Sequence, residues 1–364
     1  MQTSPGSLDE LAAVLRDSSG TVRARGGGSK WTWGAAAADP DLVVDVSAMN
    51  RVVEHAAGDL VVTVEAGARL ADVQSVLGHA GQWLALDPPE PDATIGGVVA
   101  TASSGPRRLR YGTPRDLLIG ITVVLADGTV ARSGGKVVKN VAGYDLGKLF
   151  TGSFGTLGVI AQCTFRLHPV PTARRVVTVD TDDPGPLVRE VLRAAVEPTA
   201  LEYDGQMLTV LFESVEAAAD AQASALVALA GGGDISEDLR PEFGQRPWRL
   251  GEVAIKATHR LSSLPAAIDA VRRRLGGCRL AAHAGTGVIH AGWAPTGDVS
   301  GAVDGLRADL SAHDGSLVVV DAPTAVKSQL DVWGPARGIE VMRRIKAQFD
   351  PDGRMSPGRF VGGI

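Results

Sequence analysis

Cysteine is scarce, with only Cys163 and Cys278 in 364 residues. Two distant thiols supply neither a disulfide framework nor a metal or iron–sulfur ligand set, so both read as core thiols in a reducing compartment. Long apolar runs are missing too. The longest, residues 98–102, 119–126 and 224–230, fall well short of the ~20 residues a membrane-spanning helix needs. Basic charge is not concentrated anywhere, and the net charge is 36 − 41 = −5, which argues against a nucleic-acid platform. The first residues show no basic stretch leading into an apolar one, so no signal peptide is expected. The expected location is cytoplasmic, with attachment at the inner membrane face only through partners. Apart from the short alanine run at 35–38, low-complexity sequence and internal repeats are absent.

What the chain has is apolar content and glycine. At 45 % hydrophobic residues it can build a sizeable core, and its length suits two domains. Glycine clusters recur at Arg25-Gly26-Gly27-Gly28-Ser29, Thr94-Ile95-Gly96-Gly97 and Gly152-Ser153-Phe154-Gly155-Thr156-Leu157-Gly158, each beside apolar segments that read as strands. Such loops let main-chain N–H groups approach an anionic or flat ligand with no Cβ in the way. Three of them within the first 160 residues suggest an extended ligand touched at several points, and a dinucleotide suits that better than a single phosphate. The nicotinamide fingerprint is not met, because no G-x-G-x-x-G opens a helix here and Trp31 and Trp33 follow the first loop at once. The loop Lys139-Asn140-Val141-Ala142-Gly143-Tyr144-Asp145 is likewise polar and flanked by apolar strands.

Ser7-Leu8-Asp9-Glu10 has the capping-box pattern and opens a short helix with Leu8, Leu11, Ala12 and Leu15 on one face. Strands are expected at 21–25, 41–46 and 60–66, a helix at 69–79, a hairpin turning at Asp127-Gly128, and a strand at 159–167. Pro169 and Pro171 break the chain, and the domain boundary is placed there. Strands at 174–180, 207–213, 253–258 and 287–292 then alternate with helices at 186–195, 215–230 and 264–275, the pattern of one antiparallel sheet faced by helices. A last helix at 338–349 leads to a turn-rich tail. The expected division is 1–170, 171–335 and a tail, 336–364, that returns to the first domain.

In order and spacing, Arg25-Gly26-Gly27-Gly28-Ser29-Lys30, Ala93-Thr94-Ile95-Gly96-Gly97, Ser104-Gly105-Pro106-Arg107-Arg108, residues 139–145 and residues 152–160 together resemble the FAD domain of the vanillyl-alcohol oxidase/p-cresol methylhydroxylase (PCMH-type) superfamily. More narrowly they are similar to the E-type FAD-binding subunit of bacterial glycolate oxidase (glycolate dehydrogenase). The resemblance implies an α+β fold, with a PCMH-type FAD domain of two α+β subdomains and a second, cap-like α+β domain. It also implies an FAD-dependent oxidoreductase. By that resemblance, Gly26, Gly27, Gly28 and Ser29, with Arg25 and Lys30, hold the pyrophosphate. Thr94, Ile95, Gly96 and Gly97 lie near the ribityl chain and isoalloxazine, and Ser104, Gly105, Tyr111 and Gly112 continue along the flavin. Gly155, Gly158, Val159 and Ile160 meet the adenylate end, and Pro357, Gly358 and Arg359 return from the tail. Covalent members of the superfamily carry histidine where this chain has Ser29, so FAD is expected without a covalent link.

The segment His283-Ala284-Gly285-Thr286-Gly287-Val288-Ile289-His290 is similar to an H-A-G-D-G-N-L-H stretch of related 2-hydroxy-acid dehydrogenases, whose histidines hold a divalent metal. Here Thr286 and Val288 replace the Asp and Asn, and residues 318–334 contain no Glu-His pair. Two imidazoles without a carboxylate rarely make an octahedral site for a hard cation, so no metal is assigned. His283 and His290 read as remnants facing an altered pocket. His55, His79, His168, His259 and His313 read as surface residues, and the Arg272-Arg273-Arg274 run as a solvated helix end. No catalytic residue is assigned. The resemblance implies an electron-relaying subunit of a complex that oxidises a small 2-hydroxy acid, glycolate, beside a catalytic flavoprotein subunit and an iron–sulfur subunit. Two alternatives stay open: a self-sufficient 2-hydroxy-acid dehydrogenase, and a subunit serving assembly only.

Overall fold

The computed structural model describes residues 1–135 and 144–364. The chain divides into two compact units, one made of Met1–Ser104, Gly112–Val170 and Pro335–Ile364, the other of Gly105–Tyr111 and Pro171–Gly334. Residues 105–111, which read in sequence as part of the first half, therefore belong to the second unit.

In the first unit, the leading helix, Leu8–Asp17, starts where the sequence places it. Ser7 Oγ accepts from the Glu10 N–H at 3.2 Å. The Glu10 carboxylate accepts from the Gly6 N–H at 2.8 Å rather than closing the reciprocal bond of the capping box. The helix buries Leu11 and Leu15 against Val22, Val44, Met49, Val124 and Met355, and each such side chain contributes roughly 1.5–3 kcal/mol of transfer free energy. That core is shared by two sheets. A small parallel sheet runs in the order Gln2–Thr3, Leu42–Asp45, Val22–Arg25. An antiparallel sheet of five strands runs Val52–Ala56, Val61–Glu65, Val159–Arg166, Leu118–Val124, Val130–Gly134. The Asp127-Gly128 hairpin is present, with Gly128 at φ +84°, a left-handed conformation that glycine adopts without steric cost.

The tail closes this unit. Val22 donates its N–H to Arg354 O and receives the Ser356 N–H on its own carbonyl, both at 2.8 Å. The Arg354 guanidinium donates to the carbonyls of Leu15, Ser18, Gly20 and Ala126. Lys346 Nζ pairs with buried Asp350 at 2.6 Å and also donates to Thr156 O and Met355 O.

The second unit carries an antiparallel sheet of eight strands. Their order is Asp234–Ser236, Ala173–Asp180, Met207–Ser214, Ala200–Tyr203, Arg279–His283, Val288–Trp293, Val253–Thr258, Ser316–Asp321. Helices Gly185–Arg193, Glu216–Ala230, Leu264–Arg274 and Val299–Ser311 accompany it. Alternation along a strand separates the two faces. Tyr203 points to the helix side, where Arg272 Nη2 donates to its hydroxyl at 3.3 Å, so Glu202, one residue earlier, belongs to the opposite face. The strands Ala200–Tyr203, Arg279–His283 and Ser316–Asp321 and the helix Val299–Ser311 are additions to the sequence reading. The first two are short and contain alanine and charged residues, so their extended state comes from cross-strand pairing rather than from intrinsic preference.

Candidate functional site

In the first unit the glycine segments converge. A cleft open to solvent, with about 720 Å³ of space counted out into its mouth, is lined by Arg25, Gly26, Gly27, Gly28, Ser29 and Lys30, by Thr94, Gly96 and Gly97, by Gly155, Gly158, Val159 and Ile160, and by Arg359. Segments more than 300 residues apart in the chain thus share one groove. Ala24, Trp31, Val46, Ala100, Thr101 and Phe154 complete the wall. Most of these carry no polar or glycine signal. Ala100 and Thr101 could have been found by continuing one turn along the helix Ile95–Thr101.

Close packing explains the first glycines. A Cβ on Gly26 would stand 2.2 Å from Thr94 Oγ1, and one on Gly27 would stand 2.0 Å from the Asp92 carbonyl oxygen. The two loops can lie against each other only while those positions carry no side chain. Thr94 caps the helix Ile95–Thr101, its hydroxyl accepting from the Gly97 N–H at 3.4 Å.

The tail arginine fixes the loop from behind. Arg359, buried at 7 % exposure, donates Nε to Trp33 O at 3.0 Å, Nη2 to Lys30 O at 2.7 Å and to Trp31 O at 3.3 Å, and Nη1 to Phe154 O at 3.3 Å. One planar guanidinium therefore pins the peptide units that follow the first loop and joins them to the third. Lys30 is committed partly to structure: its ammonium lies 3.5 Å from the Glu90 carboxylate, which accepts from Ser103 Oγ at 2.9 Å.

Other residues from the sequence reading lie elsewhere. Ile95 is fully buried in the core. Ser104 is buried and Gly112 packs beside Asp116, neither of them on the cleft wall. Gly105 and Tyr111 belong to the second unit. The loop from Lys139 to Gly143 falls outside the described residues.

The second unit brings together a different set. On the sheet face away from the helices, Glu202 stands opposite His283, and His290 lies between Ala281 and Lys256 in neighbouring strands. His283 is 4 % exposed and donates Nδ1–H to the Glu202 carboxylate at 2.7–2.8 Å. His290, 6 % exposed, receives a hydrogen bond on Nε2 from Arg246 Nη1 at 3.0 Å. The two imidazoles meet edge to face with centroids 5.2 Å apart, and Trp248 flanks His290.

Desolvation, and then Arg246, His283, Lys256 and Arg108, hold His290 well below the usual imidazole range, so the ring is neutral at pH 7. Burial, reinforced by Arg108 and Arg246, pulls the Lys256 ammonium down to about 8. The segment carrying Arg108 is clamped by a bidentate pair, in which Arg107 Nε and Nη2 donate to Glu213 at 2.9 and 2.6 Å. His259, expected at the surface, is buried, and its Nδ1–H donates to Arg260 O at 2.7 Å. The arginine run is exposed at a helix end, as expected, while Arg273 and Arg274 share Asp309 and Arg272 reaches Tyr203.

Among the described residues no three His, Cys, Asp or Glu side chains come together to hold a metal ion. Nor is any helix of the described residues long and apolar enough to cross a membrane.

Residues 3–134 match the family described as FAD binding domain, and residues 332–360 match the C-terminal domain of FAD linked oxidases. Glycolate oxidase subunit GlcE of Escherichia coli is 28 % identical over 330 residues, covering 87 % of this chain and 86 % of the relative. Glycolate oxidase subunit GlcD of Bacillus subtilis is 33 % identical over 57 % of this chain and 46 % of its own length. D-lactate dehydrogenase of Archaeoglobus fulgidus is 33 % identical over 55 % and 46 %. The chain thus spans about half the length of these last two. Solved alkyldihydroxyacetonephosphate synthase superposes with a TM-score of 0.71 at 16 % identity, covering 99 % of this chain and 77 % of that one, a likeness of fold. A groove walled by glycine main chain, a tail that returns to brace it and the two matches lead to one statement: the chain carries an FAD binding domain and the C-terminal domain of FAD linked oxidases, with FAD as its cofactor.

Proposed function

We propose that this chain is the FAD-binding subunit of a complex that oxidises glycolate or a closely related 2-hydroxy acid, and that it relays electrons beside a separate catalytic flavoprotein and an iron–sulfur subunit. The observation that carries the reading is the likeness to a named glycolate oxidase subunit along 87 % of the chain and 86 % of that relative, together with the cleft in the first unit. The chemistry supplied by bound FAD is two-electron acceptance, with return in one- or two-electron steps.

The chain's own residues would do the rest. Main-chain N–H groups of Gly26, Gly27 and Gly28, the Ser29 hydroxyl and the Arg25 side chain would bind the pyrophosphate. Gly96, Gly97 and Ala100 would let flat rings lie against backbone, while Gly155, Gly158 and Ile160 close the other end. Among the described residues no histidine, cysteine or tyrosine lines the cleft, which supports a cofactor held without a covalent bond. Iron–sulfur clusters would sit in a partner, since Cys163 is buried in the core and Cys278 is far from it in sequence.

A relay role is favoured over independent turnover by the second unit, where the histidine pair lacks the donors of a metal-assisted dehydrogenase. The isolated chain tests this. Purified alone, it is expected to show flavin absorbance that stays oxidised during anaerobic titration with glycolate or D-lactate. It is expected to bleach only after the partner subunits are added. Rapid bleaching of the isolated chain would establish a self-sufficient dehydrogenase instead.

A further inference from the structure

The first unit holds a second, smaller recess, with about 300 Å³ of space counted out into its mouth. Its walls are alanine and proline, and its polar lining is Thr21, Arg23, Asp39, Ser356 and Arg359. Two of these carry donors that nothing receives: Arg23 Nε and Ser356 Oγ are buried without a hydrogen-bond partner. Ser356 is 4 % exposed and sits at φ +44°, a left-handed backbone that disfavours a side chain. Glycine would relieve that strain, so the hydroxyl is held there at a cost. Arg23 makes no ion pair among the described residues. Its Nη2 donates to Trp31 O, and its guanidinium carbon lies 4.0 Å from the centre of the Trp31 indole. Burial lowers the Arg23 pKa, and the pull of Asp39 in the other direction is the smaller effect.

We infer that this recess binds a small monovalent anion between Arg23 Nε–H and the Ser356 hydroxyl, and that its occupancy tunes the cofactor cleft. A guanidinium can only donate, and a hydroxyl turns its proton toward whatever acceptor arrives, so a ligand that meets both is an acceptor. The charge on Arg23 makes a negative one the better partner. Asp39 is the one carboxylate on the wall among the described residues, and it repels a dianion more strongly than a monoanion. The other donors are spent. Thr21 gives its N–H and hydroxyl to Asp41 at 2.7 and 2.8 Å, and Arg359 holds four carbonyl oxygens. Two residues link the recess to the cleft: Trp31, which Arg23 covers, lines the cleft, and Arg359 lines both. An anion that fixes Arg23 therefore steadies Trp31 beside the first loop, and a bound cofactor steadies Arg23 for the anion, because coupling between two sites is reciprocal. The site goes beyond the proposed function and needs neither its substrate nor its partners.

The test is the FAD affinity of the full chain, read by flavin fluorescence in sodium bromide and in sodium gluconate, a bulky reference anion, at equal ionic strength. Bromide should tighten FAD binding about fivefold, the lower end of ordinary coupling between sites. The difference should vanish in Ser356→Gly and in Arg23→Met, with circular dichroism confirming folding. Ser356→Gly also relieves the backbone, so a lost bromide effect there reports the hydroxyl and not a misfolded chain. Crystals of the full chain grown in bromide should show an anomalous peak within hydrogen-bond distance of Arg23 Nε and Ser356 Oγ. Water alone at that place, equal FAD affinity in the two salts, or a bromide effect that survives in Ser356→Gly would overturn the proposal. Inorganic phosphate acting more strongly than bromide would overturn the monovalent class.

Discussion

The cleft of the first unit and the cationic face of the second are built by opposite means. The cleft is made of main chain, its loops kept bare so that Gly26 and Gly27 can lie against Thr94 and Asp92. The sheet face is made of long side chains, Lys256, Arg108 and Arg246, arranged around two buried imidazoles. A backbone site tolerates loss of charge and is ruined by added atoms. A side-chain site tolerates changes of shape at its edge and is ruined by loss of charge. The lesson is that a local sequence motif can specify the first kind, whereas the second exists only once strands remote in sequence are paired.

The largest expected effect is at Gly27. A side chain there would start 2.0 Å from the Asp92 carbonyl oxygen, so Gly27→Val should displace the loop and lower flavin affinity by about a hundredfold or more, equivalent to ~3 kcal/mol. Visible absorbance of the purified variant measures it. A variant that retains full flavin would show that the loop is not part of the cofactor site. If a flavin-free variant still supports a fully active complex, the chain serves assembly alone.

Next is the brace. Arg359→Met removes a buried guanidinium that holds four carbonyl oxygens, and should cost about 3 kcal/mol of stability, since charge-assisted bonds contribute ~1.5–3 kcal/mol each and part is recovered from solvent. Denaturant melts with and without added FAD would read both the loss and its partial rescue by ligand.

The smallest effect has the opposite sign. Lys256 falls from 10.5 to about 8 on folding, so between those values the unfolded chain binds more protons and stability rises with pH. Below pH 8 the penalty is present in full, and above 10.5 it is gone. Lys256→Met lacks this titration and, with the full shift discounted because the side chain is only partly buried, should be more stable than the parent by about 1–2 kcal/mol at pH 7, with the gap closing by pH 10.5. Melts at the two pH values check it. A stabilised Lys256→Met would sharpen the contrast, because the sheet face then carries its charge at a cost to stability. A destabilised one would mean that Lys256 has a structural partner.

Much of the cleft was legible because its chemistry is written in residues that lie next to each other. Runs of glycine between β-branched segments signal both a loop and the reason for it. Ile95 shares a motif with Gly96 and Gly97, but the helix turns it into the core. Gly105 and Tyr111 follow the same stretch in sequence, but the chain leaves the first unit there. Phe154 and Val46 were underread because apolar residues look alike whether they line a groove or fill a core. In the second unit, the wiring of the histidines was hidden. Their partners Glu202 and Arg246 lie 81 and 44 residues away, and Lys256 meets His290 only through strand register.

The sequence by itself determined the local choices: where helices begin, where the Asp127-Gly128 turn falls, and which loops must stay free of side chains. These depend on neighbours within a few residues, where steric and hydrogen-bonding preferences act directly. Tertiary structure decided which loops share a groove, that Arg359 comes back to brace them, and that His290 faces a lysine and an arginine. Those outcomes follow from strand order, register and core packing, which sum weak preferences over the whole chain and leave no mark at any single position.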